Sequence, residues 1–229
     1  KTRAVLVNTP HNPTGKVFSR EELAIIASHA IEHDAIVFSD EVYDKLVYDR
    51  AQPHVSIATL DGMAERTVTL NSLGKSFSLT GWKVGWAIAP PALTAGVRAA
   101  HQFLTFATAT PLQHGAAAIL EAPGDSVART VELFVRNRNT LAACLRRVGF
   151  EVFDSPGTYF VMADNSAVGA RLGVPPDDDR AFCGALIERC KVAAIPPSVF
   201  YHNTNEGTRF VRFAYCKKAE TIDEAVRRI

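Results

Sequence analysis

An α/β protein is what this sequence predicts: a mostly parallel sheet with helices over residues 1–122, followed by a smaller α+β domain over residues 123–229. Two observations predict the first part. Short apolar runs rich in β-branched residues alternate with helical patterns, which is how an open α/β sheet is built. Each of the first three runs also stops at a polar, turn-forming cluster. A third observation predicts the change: after Val148 the strand-like runs are separated by fewer and looser helical patterns.

The elements follow in order. Ala4 to Asn8 (AVLVN) is an apolar run that suits a strand buried on both faces. The segment from Thr9 to Gly15 holds two prolines and a glycine, so it can be neither helix nor central strand. Ser19 with Glu22 forms a capping box, and Leu23, Ile26, Ala27 and Ala30 make the apolar stripe of the helix it opens. Ala35 to Ser39 is a second strand, ending on Asp40-Glu41. Thr67 to Asn71 is a third, and Ser72 to Thr80 a loop leading into a helical turn. Gly85 to Ala89 is a fourth strand, stopped by Pro90-Pro91.

From Pro91 to Val148 the pattern is helical, broken near Ala122-Pro123-Gly124. Strands are expected at Glu151 to Phe153, Tyr159 to Ala163, Val192 to Ile195 and Arg209 to Tyr215. Helices are expected over Arg180 to Cys190 and Thr221 to Arg228, the last opened by a Thr221/Glu224 capping box. Asp164 to Asp179 is expected to be an exposed loop.

Composition narrows the function. The 229 residues carry 25 basic and 24 acidic side chains with no run of one sign, which argues against a general nucleic-acid surface. No stretch is apolar enough to span a bilayer. The four cysteines show neither CxxC pairing nor metal-type spacing, so they read as reduced thiols. Of the seven histidines, His29 and His33 are four apart on the charged side of a helix and read as surface, with no metal expected. The chain begins at Lys1 without Met and stops inside a helical pattern, so both ends look cut. No targeting signal is visible, which points to the cytoplasm.

Ligands in open α/β sheets bind beyond the carboxyl ends of the strands. Three clusters fall there: Asn12-Pro-Thr-Gly15, Asp40-Glu-Val-Tyr43 and Ser72-Leu-Gly-Lys75. Singly they are a turn, a cap and a solvated lysine. In this order, followed by SFSLTGWKVGW and the C-terminal RFVRFAY, the sequence resembles the class I/II aminotransferases of fold type I over nearly its whole length. It is most similar to the branch of kynurenine/glutamine, methionine and actinobacterial N-succinyldiaminopimelate aminotransferases. HNPTG, DGMAERT, TGWKVGWA and VRFAYCK look like the last group.

The resemblance implies pyridoxal 5'-phosphate as cofactor, with Lys75 as the catalytic lysine that holds it covalently. It implies Asp40 at the pyridine nitrogen, Tyr43 and Asn12 at the ring oxygen, and Ser72 and Lys83 at the phosphate. Many relatives have Arg where Lys83 stands, while this branch commonly uses Lys. Arg212 would hold the substrate carboxylate, with Asn12 beside the substrate; a two-pronged contact favours arginine. Arg209 is its rival, three residues away on the same run. Tyr159 and Phe160 resemble a segment near the substrate, and core packing suits them equally. Trp82 and Trp86 read as core or interface anchors.

The implied partners are an amino acid and a 2-oxo acid, in a homodimer when complete, with no nucleic acid and no membrane. The implied whole is the large domain of a fold-type I transferase plus a small C-terminal domain, with an N-terminal portion absent. Little activity is therefore expected of these residues alone. N-succinyldiaminopimelate (lysine biosynthesis), glutamate, methionine, glutamine and kynurenine all remain open as donors. Three alternatives stand beside this reading: β-elimination from cysteine S-conjugates on the same site, a non-catalytic cofactor-binding regulatory domain, and a structural module without cofactor.

Overall fold

The computed structural model describes residues 2–49, 51–203 and 205–229. It divides into two compact units, one of Lys1–His11 with Val17–Val131, the other of Asn12–Lys16 with Glu132–Ile229.

In the first unit, β1 (Ala4–Asn8), β2 (Ile36–Asp40), β3 (Thr67–Ser72) and β4 (Gly85–Ile88) form one sheet in that order. The first three are parallel and β4 is antiparallel to β3. Asn8 pairs with Asp40, Asp40 with Leu70, and Ser72 with Gly85. The ends of β1 to β3 and the start of β4 therefore share one sheet edge. Helix α1 (Arg20–Glu32) starts at the expected capping box, Ser19 Oγ accepting from Glu22 N–H and Glu22 Oε2 from Ser19 N–H. It lays Leu23, Ala27 and Ala30 against Val7, Val37, Ile57 and Met63, with Ile26 packed beside them. Each fully buried aliphatic of this kind contributes about 1.5–3 kcal/mol.

A second cluster packs beside β4. Helix α4 (Thr110–Glu121) packs Leu112, Ala116 and Ile119 with Leu73, Val84, Trp82 and Trp86. Gly115 lets α4 approach closely: a Cβ there would stand 2.8 Å from the Trp82 ring, which would have to shift. Helix α3 (Pro91–Leu104), by contrast, buries none of its residues.

In the second unit, β5 (Glu151–Val152), β6 (Phe160–Asp164) and β7 (Phe210–Ala214) form an antiparallel sheet. Helix α5 (Ser126–Val148) crosses the unit boundary, and its Phe134, Leu141 and Leu145 are buried. Phe150 meets Phe182 and Phe213 edge-on, at 5.9 and 5.8 Å. Buried Asn137 donates to the carbonyls of Tyr215 (3.0 Å) and Lys217 (2.8 Å), tying α5 to the chain after β7.

Several expectations are corrected. β1 is buried on one face only, since Leu6 is 72% exposed. The stretch 164–179 is not all loop; it contains α6 (Ser166–Arg171). Val192 to Ile195 is no strand, and only Ile195 bridges to Arg212. Helix α7 (Asp179–Ala185) passes into a π-helical turn over Leu186–Cys190 instead of continuing as α-helix. Thr221 does not cap α8 (Ala219–Arg228), whose N-cap is Lys218; Glu224 instead pairs with Arg227 and Arg228. Lys75 sits in a single helical turn, α2 (Leu73–Ser76), rather than a loop.

Candidate active site

The predicted residues gather in two groups, each inside one unit. In the first unit, strand alternation at the end of β2 buries Ser39 and Glu41 and leaves Asp40 half-buried on the other face. Asp40 Oδ1 accepts from Val42 N–H at 3.3 Å. The chain then turns, with Asp44 N–H donating to the Glu41 carbonyl (2.9 Å) and Leu46 N–H to the Tyr43 carbonyl (2.8 Å). That turn buries the Tyr43 side chain. Ser72, at the end of β3, caps α2 by accepting from Gly74 N–H at 3.2 Å, so its own O–H keeps a proton to donate.

One residue further along α2, Lys75 is half-buried, and its Nζ lies 5.7 Å from the centroid of the Tyr43 ring. Burial pushes the Asp40 carboxyl above its ordinary value. The Val42 N–H and the Lys75 charge pull it back, and the Glu41 charge pushes it further up. Lys83 is exposed, in a left-handed conformation (φ 56°) two residues before Gly85. Trp82, packed on Gly115, anchors that turn.

The second group lies in the second unit. Arg212 Nη1 donates to Asn12 Oδ1 at 2.6 Å. The guanidinium stacks 4.1 Å from the Phe160 ring and 4.9 Å from the Phe200 ring. Arg209 falls outside β7 and pairs with Asp164 at 3.3 Å. Gly15 closes the NPTG turn at φ 76°, where a Cβ would stand 2.3 Å from Ser155 Oγ. Its carbonyl accepts from Gly157 N–H at 2.8 Å. Tyr159 packs edge-on against Phe134 at 5.8 Å, which is core packing.

Sequence reasoning gave no role to Phe200 or to the Glu41–His54 contact, where His54 Nε2 lies 2.9 Å from Glu41 Oε2. Nothing marks either in the sequence beyond Glu41 standing beside Asp40. His29, Glu32 and His33 bring their ligand atoms close together at the C-terminal end of α1, and all three are exposed.

The family model for aminotransferase class I and II matches residues 1–229. The chain belongs to that family. It is 44% identical to a probable N-succinyldiaminopimelate aminotransferase of Mycobacterium tuberculosis, an alignment covering 100% of this chain and 58% of that protein. It is 40% identical to kynurenine–oxoglutarate transaminase 3 of Rattus norvegicus, covering 98% of this chain and 52% of the relative. The solved structure of N-succinyldiaminopimelate aminotransferase from M. tuberculosis superposes with a TM-score of 0.91 at 46% identity, over 99% of this chain and 57% of that one. The chain thus spans a little over half the length of these relatives.

Members of this family depend on pyridoxal phosphate. The first unit's side chains suit that group chemically. A half-buried carboxylate, a phenol, an amine, a capping hydroxyl and an ammonium stand at one sheet edge, matching a ring N–H, a ring oxygen, an aldehyde and a phosphate.

Proposed function

We propose that this chain carries the lysine-bearing part of an aminotransferase that moves an amino group between an amino acid and a 2-oxo acid. The observation that carries the reading is the placement of Lys75 Nζ over the Tyr43 ring, with Asp40 at the same strand-end cluster. Lys75 would hold the cofactor aldehyde. Asp40 would accept from the pyridine N–H, and Tyr43 and Asn12 would donate to the ring oxygen. Ser72 would donate its O–H to the phosphate and Lys83 would face it with a point charge. When bound, the cofactor supplies an electron sink for charge developing at the substrate α-carbon.

The chain's own residues supply the rest. Lys75 Nζ, as a free amine, would be the base that takes the substrate α-proton and gives it back. Arg212 would grip the substrate carboxylate. Asn12 holds one of its N–H groups, and the rings of Phe160 and Phe200 fix the plane of the guanidinium. A guanidinium stacked this way loses little further freedom on binding.

For the donor we infer N-succinyl-LL-2,6-diaminopimelate, with 2-oxoglutarate as acceptor, in a homodimer of the complete protein. The support is the likeness to the M. tuberculosis protein. Lys75→Ala tests the central role. Wild-type chain titrated with pyridoxal phosphate should develop the absorption band of lysine-bound cofactor, and the variant should not. A band retained in Lys75→Ala removes Lys75 from this role. Comparing succinyldiaminopimelate, kynurenine and cysteine S-conjugates as substrates of the complete protein then separates the donor and the β-elimination alternative.

A further inference from the structure

The DEVY cluster contains a second carboxylate that does not face the proposed cofactor site. Glu41 follows Asp40 directly and points to the opposite side of the strand end, where it is 4% exposed. Its Oε1 accepts from the hydroxyls of Ser39 (2.8 Å) and Ser56 (2.7 Å). Its Oε2 faces His54 Nε2 at 2.9 Å. An ionised carboxylate only accepts, so the proton between them is carried by His54 Nε2. His54 Nδ1 is buried without a hydrogen-bond partner. A bare imidazole nitrogen tolerates that position better than an N–H would, which fits the same tautomer.

Two adjacent carboxylates, one of them almost wholly buried, repel each other across a poorly solvated strand end. The charged groups acting on Asp40 are Lys75, which favours its ionised form, and Glu41, which opposes it. A protonated Asp40 would keep an acceptor oxygen but lose the negative charge that holds the proton on a pyridine nitrogen. The site therefore needs the Glu41 charge damped.

We propose that His54 is a positioning residue for Asp40: its Nε2–H, with the Ser39 and Ser56 hydroxyls, holds and damps the buried Glu41 carboxylate, so that Asp40 carries the negative charge offered to the cofactor nitrogen. The same contacts pin the turn that carries Asp40 and Tyr43 to the residues just before the helical turn Ile57–Thr59. The purpose given to Asp40 rests on the aminotransferase reading, but the coupling is a property of this chain alone.

The test is a pH titration of the Asp40 carboxyl carbon by NMR in the cofactor-free chain, for wild type, His54→Leu, Glu41→Gln and the double variant. His54→Leu should weaken Asp40 as an acid by at least about threefold. Glu41→Gln, which keeps shape and an acceptor oxygen, should strengthen it, and the double variant should return to wild type or beyond. A packing role alone would leave the double variant as perturbed as His54→Leu. An Asp40 midpoint unmoved by Glu41→Gln overturns the proposal, and does so even where His54→Leu fails to fold. The titration needs no cofactor, so its outcome is independent of the Lys75→Ala test.

Discussion

Asp40 shows at the scale of one residue how a binding site costs stability. Burial raises its carboxyl above the ordinary 3.8, and the Glu41 charge adds to that. The folded chain therefore holds the Asp40 proton more tightly than the unfolded chain does. Below the unfolded value both states are protonated and the group is neutral to stability. Above the folded value the ionised group is disfavoured by its surroundings and the fold is weakened. Asp40→Asn in the cofactor-free chain should consequently raise the thermal midpoint at pH 7, by no more than about 4 °C. The gain should shrink as pH falls through the carboxylate range, while affinity for pyridoxal phosphate drops. A variant that melts lower than wild type at pH 7 would show that Asp40 is stabilising as an ion.

At the scale of elements, the strand ends and single turns do the positioning, and they are also where the sequence is most and least informative. The parallel strands were legible because AVLVN, AIVFS and TVTLN are bounded by turn formers, and parallel order puts their polar ends on one edge. The same bounding put Asp40 and the Ser72–Lys75 cluster at strand ends, while the roles expected of them came from the resemblance alone. The one-sided burial of β1 was not, because an apolar run looks alike whether one face or two are covered. α6 is six residues with Gly169 inside, too short for a helical period to register. The Thr221/Glu224 spacing imitates a capping box, but Lys218 already holds the extended conformation (φ −61°, ψ 152°) that starts α8. The Glu41–His54 contact joins residues 13 apart through a loop, and no local pattern encodes it.

α7 gives an element-scale prediction. Asp179 in its first turn is buried, accepting from Ser198 N–H (2.7 Å) and Oγ (3.0 Å). One turn on, burial and then the Asp179 charge push the Cys183 thiol up to about 12. The thiolate is the reactive form. Treating the native chain with an alkylating reagent at pH 8 and mapping the products should find the partly exposed Cys190 modified well before Cys183. Equal rates at the two thiols would mean that α7 opens readily in solution.

For the whole molecule, the distribution of apolar surface is uneven. The buried residues of the first unit concentrate under α1 and around Trp82, while Phe103 (85%), Leu104 (85%) and Phe106 (81%) at the end of α3 stand in solvent with Ile88 (65%) on β4. Soluble monomers seldom expose so many large apolar side chains in one stretch. Because these side chains bury almost nothing here, they contribute little to the fold, and replacing them removes no core contacts. Phe103→Ser with Leu104→Ser should therefore lower the binding of a hydrophobic dye and the tendency to associate, each severalfold. The thermal midpoint should change by no more than about 2 °C. Dye fluorescence, light scattering and a melting curve on the same samples decide it. A midpoint that falls steeply would mean that the end of α3 is packed in solution, and that the exposed stretch is already covered in this chain.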